Sequence, residues 1–252
     1  MSGLDGQVAL VTGSSRGIGA AIAVELASRG AAVAVHGRDR GAVDSVVAAI
    51  ERGGGKALGV LGDVTSFDEV EAVRREVERG LGPVDVLVAN AGGNFTPPAA
   101  LEDIPEVGWR ATVDGNLTAT FLTLKSFLPG MKARGRGSIV TIASTAARRP
   151  DARSPIAYGA AKAGIVLLTQ DVAAQAGPFG VRVNCLAPET ILTERNRERI
   201  PVEQQAALAE YHPLRRLGTP QDVADAVAFL ASEEADWITG VVLDVAGGSV
   251  LR

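Results

Sequence analysis

Thr12-Gly13-Ser14-Ser15-Arg16-Gly17-Ile18-Gly19 follows the apolar run at residues 8–11 and leads into a stretch whose apolar positions, Ile22 and Leu26, recur at helical spacing. The order is strand, glycine turn, helix. Glycine carries no Cβ, so the backbone of such a turn can approach a pyrophosphate, and the unpaired N–H groups that open the helix face its negative charge. The glycine spacing is GxxxGxG rather than GxGxxG. An ordinary tight turn has a similar composition, but a place after the first strand and before a helix is the context a dinucleotide site needs.

Outward from this turn, short runs rich in Val and Ile near residues 8–11, 32–35, 57–60, 84–89, 138–142, 181–186 and 241–245 alternate with longer Ala-rich stretches of helical period. Such alternation predicts βαβ units, and hence a Rossmann-type, doubly wound α/β fold with a seven-stranded parallel sheet covered on both faces. One domain is expected over 1–252. Gly53-Gly54-Gly55 reads as a helix stop before the third strand, and residues 188–220 are the least regular part.

The chain has 252 residues, 46% of them hydrophobic, enough for one large core. Lys and Arg total 25 against 29 Asp and Glu, a net charge of −4, which argues against nucleic acid or an anionic membrane as the main partner. The sole cysteine, Cys185, permits no intrachain disulfide and fits a reducing cytoplasm. Residues 1–7 carry no leader-like pattern, and the apolar runs fall short of the roughly 20 residues that cross a bilayer, so a soluble cytoplasmic protein is expected.

At the end of the second strand an acid often receives the adenosine ribose, but here the chain reads His36-Gly37-Arg38. Arg16 and Arg38 are placed to hold a 2′-phosphate, which favours NADP over NAD; solvated loop charges are the plainer alternative. His36 reads as a strand-end residue, since no second metal-type residue is patterned with it, and no metal site is expected. Further along, Tyr158 and Lys162 stand four residues apart and share a helix face. A cation beside a phenol stabilises the phenolate, so Lys162 is expected to draw Tyr158 down from its usual pKa of about 10 and ready it for proton exchange.

Together with Asp63-Val64, Asn90-Ala91-Gly92, Asn116, Ser144 and the segments Val181-Arg-Val-Asn-Cys-Leu-Ala-Pro188, Ile238-Thr-Gly240 and Gly247-Gly248, these motifs make nearly the whole chain resemble the short-chain dehydrogenase/reductase family. Pro213-Leu-Arg-Arg-Leu-Gly-Thr-Pro220-Gln-Asp-Val-Ala224 is most similar to its 3-oxoacyl-carrier-protein reductase branch. The resemblance implies catalytic roles for Asn116, Ser144, Tyr158 and Lys162. Tyr158 is then the general acid in reduction, Lys162 its activator and ribose ligand, Ser144 a donor to the substrate oxygen, and Asn116 the holder of a water against Lys162. It implies NADP(H) binding by Gly13, Ser15, Arg16, Gly17, Ile18, Gly19, Arg38, Asp63, Val64, Asn90, Ala91 and Gly92. Tyr158, Lys162, Ile191 and Thr193 complete the set, the last two at the nicotinamide carboxamide.

The chain departs from the family pattern at Glu189, where Gly usually follows Pro, at Ala246, where an acid usually stands, and at Phe179, where carrier-protein reductases tend to be basic. Lys132, Arg134 and Arg136 leave positive charge near Phe179. The resemblance further implies a small carbonyl or acyl-thioester substrate, an acyl carrier protein as possible partner, and a homotetramer built on the helices of Asn116 and Tyr158. Reduction of a 3-oxoacyl thioester is the leading expectation. An alcohol, sugar or steroid-like ketone reductase is the alternative, and a catalytically silent dinucleotide sensor a further one. Residues 189–215, with Arg195, Arg197 and Arg199, are expected to form a substrate lid.

Overall fold

The computed structural model describes residues 3–150 and 155–251, so both ends of the domain expected over 1–252 lie outside the described residues. Seven parallel strands form one sheet in the order β3-β2-β1-β4-β5-β6-β7. They are β1 Val8–Val11, β2 Ala32–Gly37, β3 Lys56–Leu61, β4 Val86–Ala89, β5 Gly137–Ile142, β6 Val181–Pro188 and β7 Val242–Val245. All residues of β1 and β4 are buried, as expected of central strands with helices on both faces.

One face packs against α1 Gly17–Ser28, α2 Arg40–Arg52 and α9 Pro220–Ala231, through a core that includes Ile22, Leu26, Val43, Val223 and Val227. The other packs against α3 Phe67–Gly80, α5 Ala119–Arg134 and α6 Ile156–Ala176, through Val73, Leu124, Phe127 and Met131. Three shorter helices, α4 Glu106–Val113, α7 Glu194–Arg199 and α8 Val202–Tyr211, lie in the connections.

Several strand boundaries differ from the sequence reading by one or two residues, among them those of β4 and β6. β4 starts at Val86 because the Asp85 carboxylate takes the Val8 N–H, 3.2 Å away, that a further rung would use. β6 runs on to Pro188, which pairs with Val245, and delivers the chain to the rim at residue 189. The segment before α9 ends in a capping box, with the Asp222 carboxylate accepting from Thr219 N at 2.7 Å and from Arg216 Nη1 and Nη2.

The order reverses between β1 and β4, so the connections leave on opposite faces and a crevice opens at the carboxyl ends of the strands. Leu26 is fully buried between α1 and the sheet. Leu26→Ala should cost about 3 kcal/mol in urea unfolding, the range for a truncated core leucine.

Candidate active site

A cleft of about 1100 Å³ opens at that crevice. Every residue expected from sequence to bind or react borders it except Asn116, which is fully buried behind it. Among the described residues no helix is long and apolar enough to cross a membrane, and no cluster of three metal-type side chains occurs.

The glycine turn is held from three sides. The Asn90 carboxamide donates to Thr12 O at 2.8 Å and Gly13 O at 3.1 Å, while Thr12 Oγ1 accepts from the backbone N–H groups of Asn90 and Ala91. From β2, His36 Nδ1 accepts from Gly13 N at 3.1 Å. A Cβ on Gly19 would fall 2.5 Å from Asn90 Nδ2 and against Gly13 O, so only glycine fits there. α1 then starts without a side-chain cap and without an acid in its first turn, leaving its amide groups directed at the cleft. A turn with no room for side chains beside an uncapped helix start fits a dinucleotide's pyrophosphate.

The two arginines expected at a 2′-phosphate stand at the rim, each beside a carboxylate. Arg16 pairs with Asp39 at 2.5 Å, and Arg38 with Asp63 at 3.6 Å. Asp39 also caps α2, its Oδ1 accepting from Ala42 N. Asp63 accepts from both the backbone N–H and the hydroxyl of Thr65, and these bonds, more than Arg38, hold its carboxyl below the usual range.

Deeper in, Ser144 follows β5 and caps the short turn Thr145–Ala147, its Oγ accepting from Ala146 N at 3.2 Å, and it lines the cleft together with Tyr158. Lys162 Nζ donates to Ile142 O at 2.7 Å and lies 5.5 Å from the Tyr158 ring centroid. Burial lowers Lys162 to about 8, opposed by Cys185. Burial also raises the Tyr158 phenol, and the Ser144 side chain pulls it back. The expected lowering of Tyr158 by Lys162 is therefore not what the geometry gives: the ammonium is directed at a carbonyl, and desolvation dominates the phenol.

Asn116 sits in a π-helical turn, Asp114–Thr118, between α4 and α5, where one extra residue per turn rotates it inward. Its carboxamide grips Gly93 through both N and O and also donates to Thr112 O. A Cβ on Gly92 would lie 2.6 Å from Asn116 Oδ1 and 3.4 Å from Lys162 Nζ, so the two polar groups flank one small space. After β6, Thr193 caps α7 through Asn196 N, and its methyl comes within 3.3 Å of where a Gly17 Cβ would stand. Ile191 is buried and bridges to Gly218.

A family model described as enoyl-(acyl carrier protein) reductase matches residues 13–249. The chain belongs to the short-chain dehydrogenase/reductase family. It is accordingly an oxidoreductase of alcohol and carbonyl groups. The cis-4-hydroxycyclohexanecarboxylate dehydrogenase of Sinomonas cyclohexanicum is 40% identical, over 96% of this chain and 96% of that protein. A solved 7α-hydroxysteroid dehydrogenase, complexed with NADH and 7-oxo glycochenodeoxycholic acid, has a TM-score of 0.93 and 36% identity over 99% of this chain and 96% of its own. A 3-oxoacyl-[acyl-carrier protein] reductase with bound NAD from Brucella melitensis has a TM-score of 0.90 and 33% identity, over 98% of this chain and 92% of its own.

In this short-chain dehydrogenase/reductase two residues do more than the sequence reading assigned them. Asp39 lies one position past His36-Gly37-Arg38, and its place before a helix start is the signal the sequence carries for it. His36 bridges the glycine turn and Gly62 O, 3.1 Å from Nε2; since a carbonyl only accepts, Nε2 carries the proton and Nδ1 receives Gly13 N–H. Burial lowers His36 from 6.5 to about 4, against the Gly62 bond and Asp63, so it is neutral. An unfolded chain takes up this proton first as pH falls, so stability present above pH 6.5 is lost toward pH 4. Urea unfolding at about pH 7 and about pH 5 should differ by roughly 1–3 kcal/mol from this residue, and His36→Gln should remove that part of the slope.

Proposed function

We propose that this enzyme moves a hydride between NADP(H) and a secondary alcohol or ketone whose reacting carbon lies in a ring. The observation that carries the reading is that Ser144, Tyr158 and buried Lys162 line the same cleft as the glycine turn, with Lys162 Nζ 5.5 Å from the Tyr158 ring centroid. The bound nicotinamide supplies or receives the hydride. Tyr158 gives its proton to the substrate oxygen in reduction and takes it back in oxidation, while Ser144 donates a hydrogen bond to the same oxygen as charge builds there. Lys162, charged below a pH of about 8, faces the developing phenolate, and Asn116 flanks the space beside it through which the proton is replaced.

Ring substrates are supported by the named substrates of the cyclohexane and steroid relatives. Reduction of a 3-oxoacyl thioester is the second reading, favoured by the Brucella reductase. The carrier protein expected with it finds little on the surface: Phe179, Arg134 and Arg136 precede β5 and β6, at the sheet end away from the cleft. There Lys132 lies 4.7 Å from the Phe179 ring, while Arg134 and Arg136 are engaged by Val84 O and Asp85.

NADP(H) rests on Arg16 and Arg38, both mostly exposed at the rim and able to exchange a weak surface carboxylate for a phosphate. Exposed Phe121 and Leu167, on the outer sides of α5 and α6, support assembly into a homotetramer through those helices.

NADPH and NADH consumption against cyclic ketones, simple ketones and an acetoacetyl thioester tests the substrate and the cofactor together. Arg38→Ala should raise KM for NADPH about tenfold and leave NADH nearly unaffected. Tyr158→Phe should reduce turnover at least about a thousandfold with NADPH affinity within about threefold of wild type. Undiminished turnover in that variant would overturn the mechanism.

A further inference from the structure

Glu189, at the position where the resembling family has glycine, takes no strained backbone conformation; among the described residues the only non-glycine with positive φ is Arg215. Its side chain is instead committed. Oε2 accepts from the backbone N–H of Thr190 and stands 2.8 Å from His212 Nε2. His212, 2% exposed, places its other nitrogen, Nδ1, 2.7 Å from Leu208 O at the end of α8.

Counting protons settles what this contact requires. Leu208 O can only accept, so Nδ1 carries a hydrogen. Nε2 and Oε2 then need one more proton between them, as imidazolium with carboxylate or as imidazole with carboxylic acid. The pair is a clamp closed by one shared proton.

The clamp joins the residue that leaves β6 to the residue that ends α8, and everything between them is the lid. A second tie lies beside it, where Leu192 N donates to Gly218 O at 2.7 Å and Gly218 N to Thr190 O at 3.2 Å. Within the loop so closed, Arg195, Glu198, Arg199 and Ile200 border the cleft. We infer that Glu189 and His212 are positioning residues: they fix α7 and α8 over the substrate end of the cleft and so set substrate affinity, without entering the proton-transfer step. The inference rests on the proposed oxidoreductase reading of this cleft.

Glu189→Leu should raise KM for the ketone about tenfold while kcat and NADPH affinity stay within about threefold. Trypsin, which cuts after the exposed Arg195, Arg197 and Arg199, should cleave the lid of this variant at least about tenfold faster than that of wild type. Glu189→Gln should leave both quantities between those of wild type and of the leucine variant, since one oxygen, Oε2, meets both Thr190 N and His212 Nε2, and the carboxamide atom in its place either accepts from Thr190 N or donates to His212 but not both. Glu189→Gly, which any turn accepts, repeats the test if the leucine variant does not fold, with the outcome expected of the leucine variant.

Wild-type values for the leucine or glycine variant would overturn the clamp. Cleavage needs no turnover, so a wild type inert toward every ketone sinks the proposed reaction while the cleavage series still decides the clamp.

Discussion

The Asn90 carboxamide, donating to the carbonyls of Thr12 and Gly13, ties the end of β4 to the turn that leaves β1. These are the two strands between which the sheet reverses its order, so this bond sets the width of the crevice where the cleft lies. The exclusion of any side chain at Gly19 is the same constraint seen from α1. With the turn fixed on the β4 side by Asn90 and on the β2 side by His36, α1 can leave its first amide groups uncapped. Their hydrogen-bonding capacity is kept for a ligand rather than consumed within the chain.

Farther along the cleft the governing term is desolvation. It drives the two titrations apart, raising the Tyr158 phenol above its usual value and bringing Lys162 down to about 8. At neutral pH the phenol is thus loaded with its proton and the amine still carries charge. Ser144 tempers the phenol, and the Ile142 carbonyl orients the ammonium. The strand end, rather than the neighbouring helical turn, holds the lysine in place.

Much of this was legible in the chain. Fully buried parallel strands read as unbroken Val and Ile runs, and the sheet appeared where those runs lay. The glycine turn was legible because its chemistry is local, a matter of residues that lack a Cβ. What escaped was chemistry that depends on distant partners. The role of His36 needs Gly13 and Gly62, brought together only by the pairing of β2 with its neighbours. Glu189 and His212 are 23 positions apart and meet only because the segment between them folds back on itself. The Tyr158 and Lys162 spacing placed them on one helix correctly, but their electrostatics came from burial, which spacing does not report.

The cleft draws its walls from the ends of six of the seven strands and from the start of α1, so a bound dinucleotide touches nearly every element that must separate when the chain unfolds. Binding energy gained there is folding energy: a cofactor at about a hundred times its Kd adds about 2.7 kcal/mol to the native state. Long-lived copies of this protein are therefore those that stay loaded.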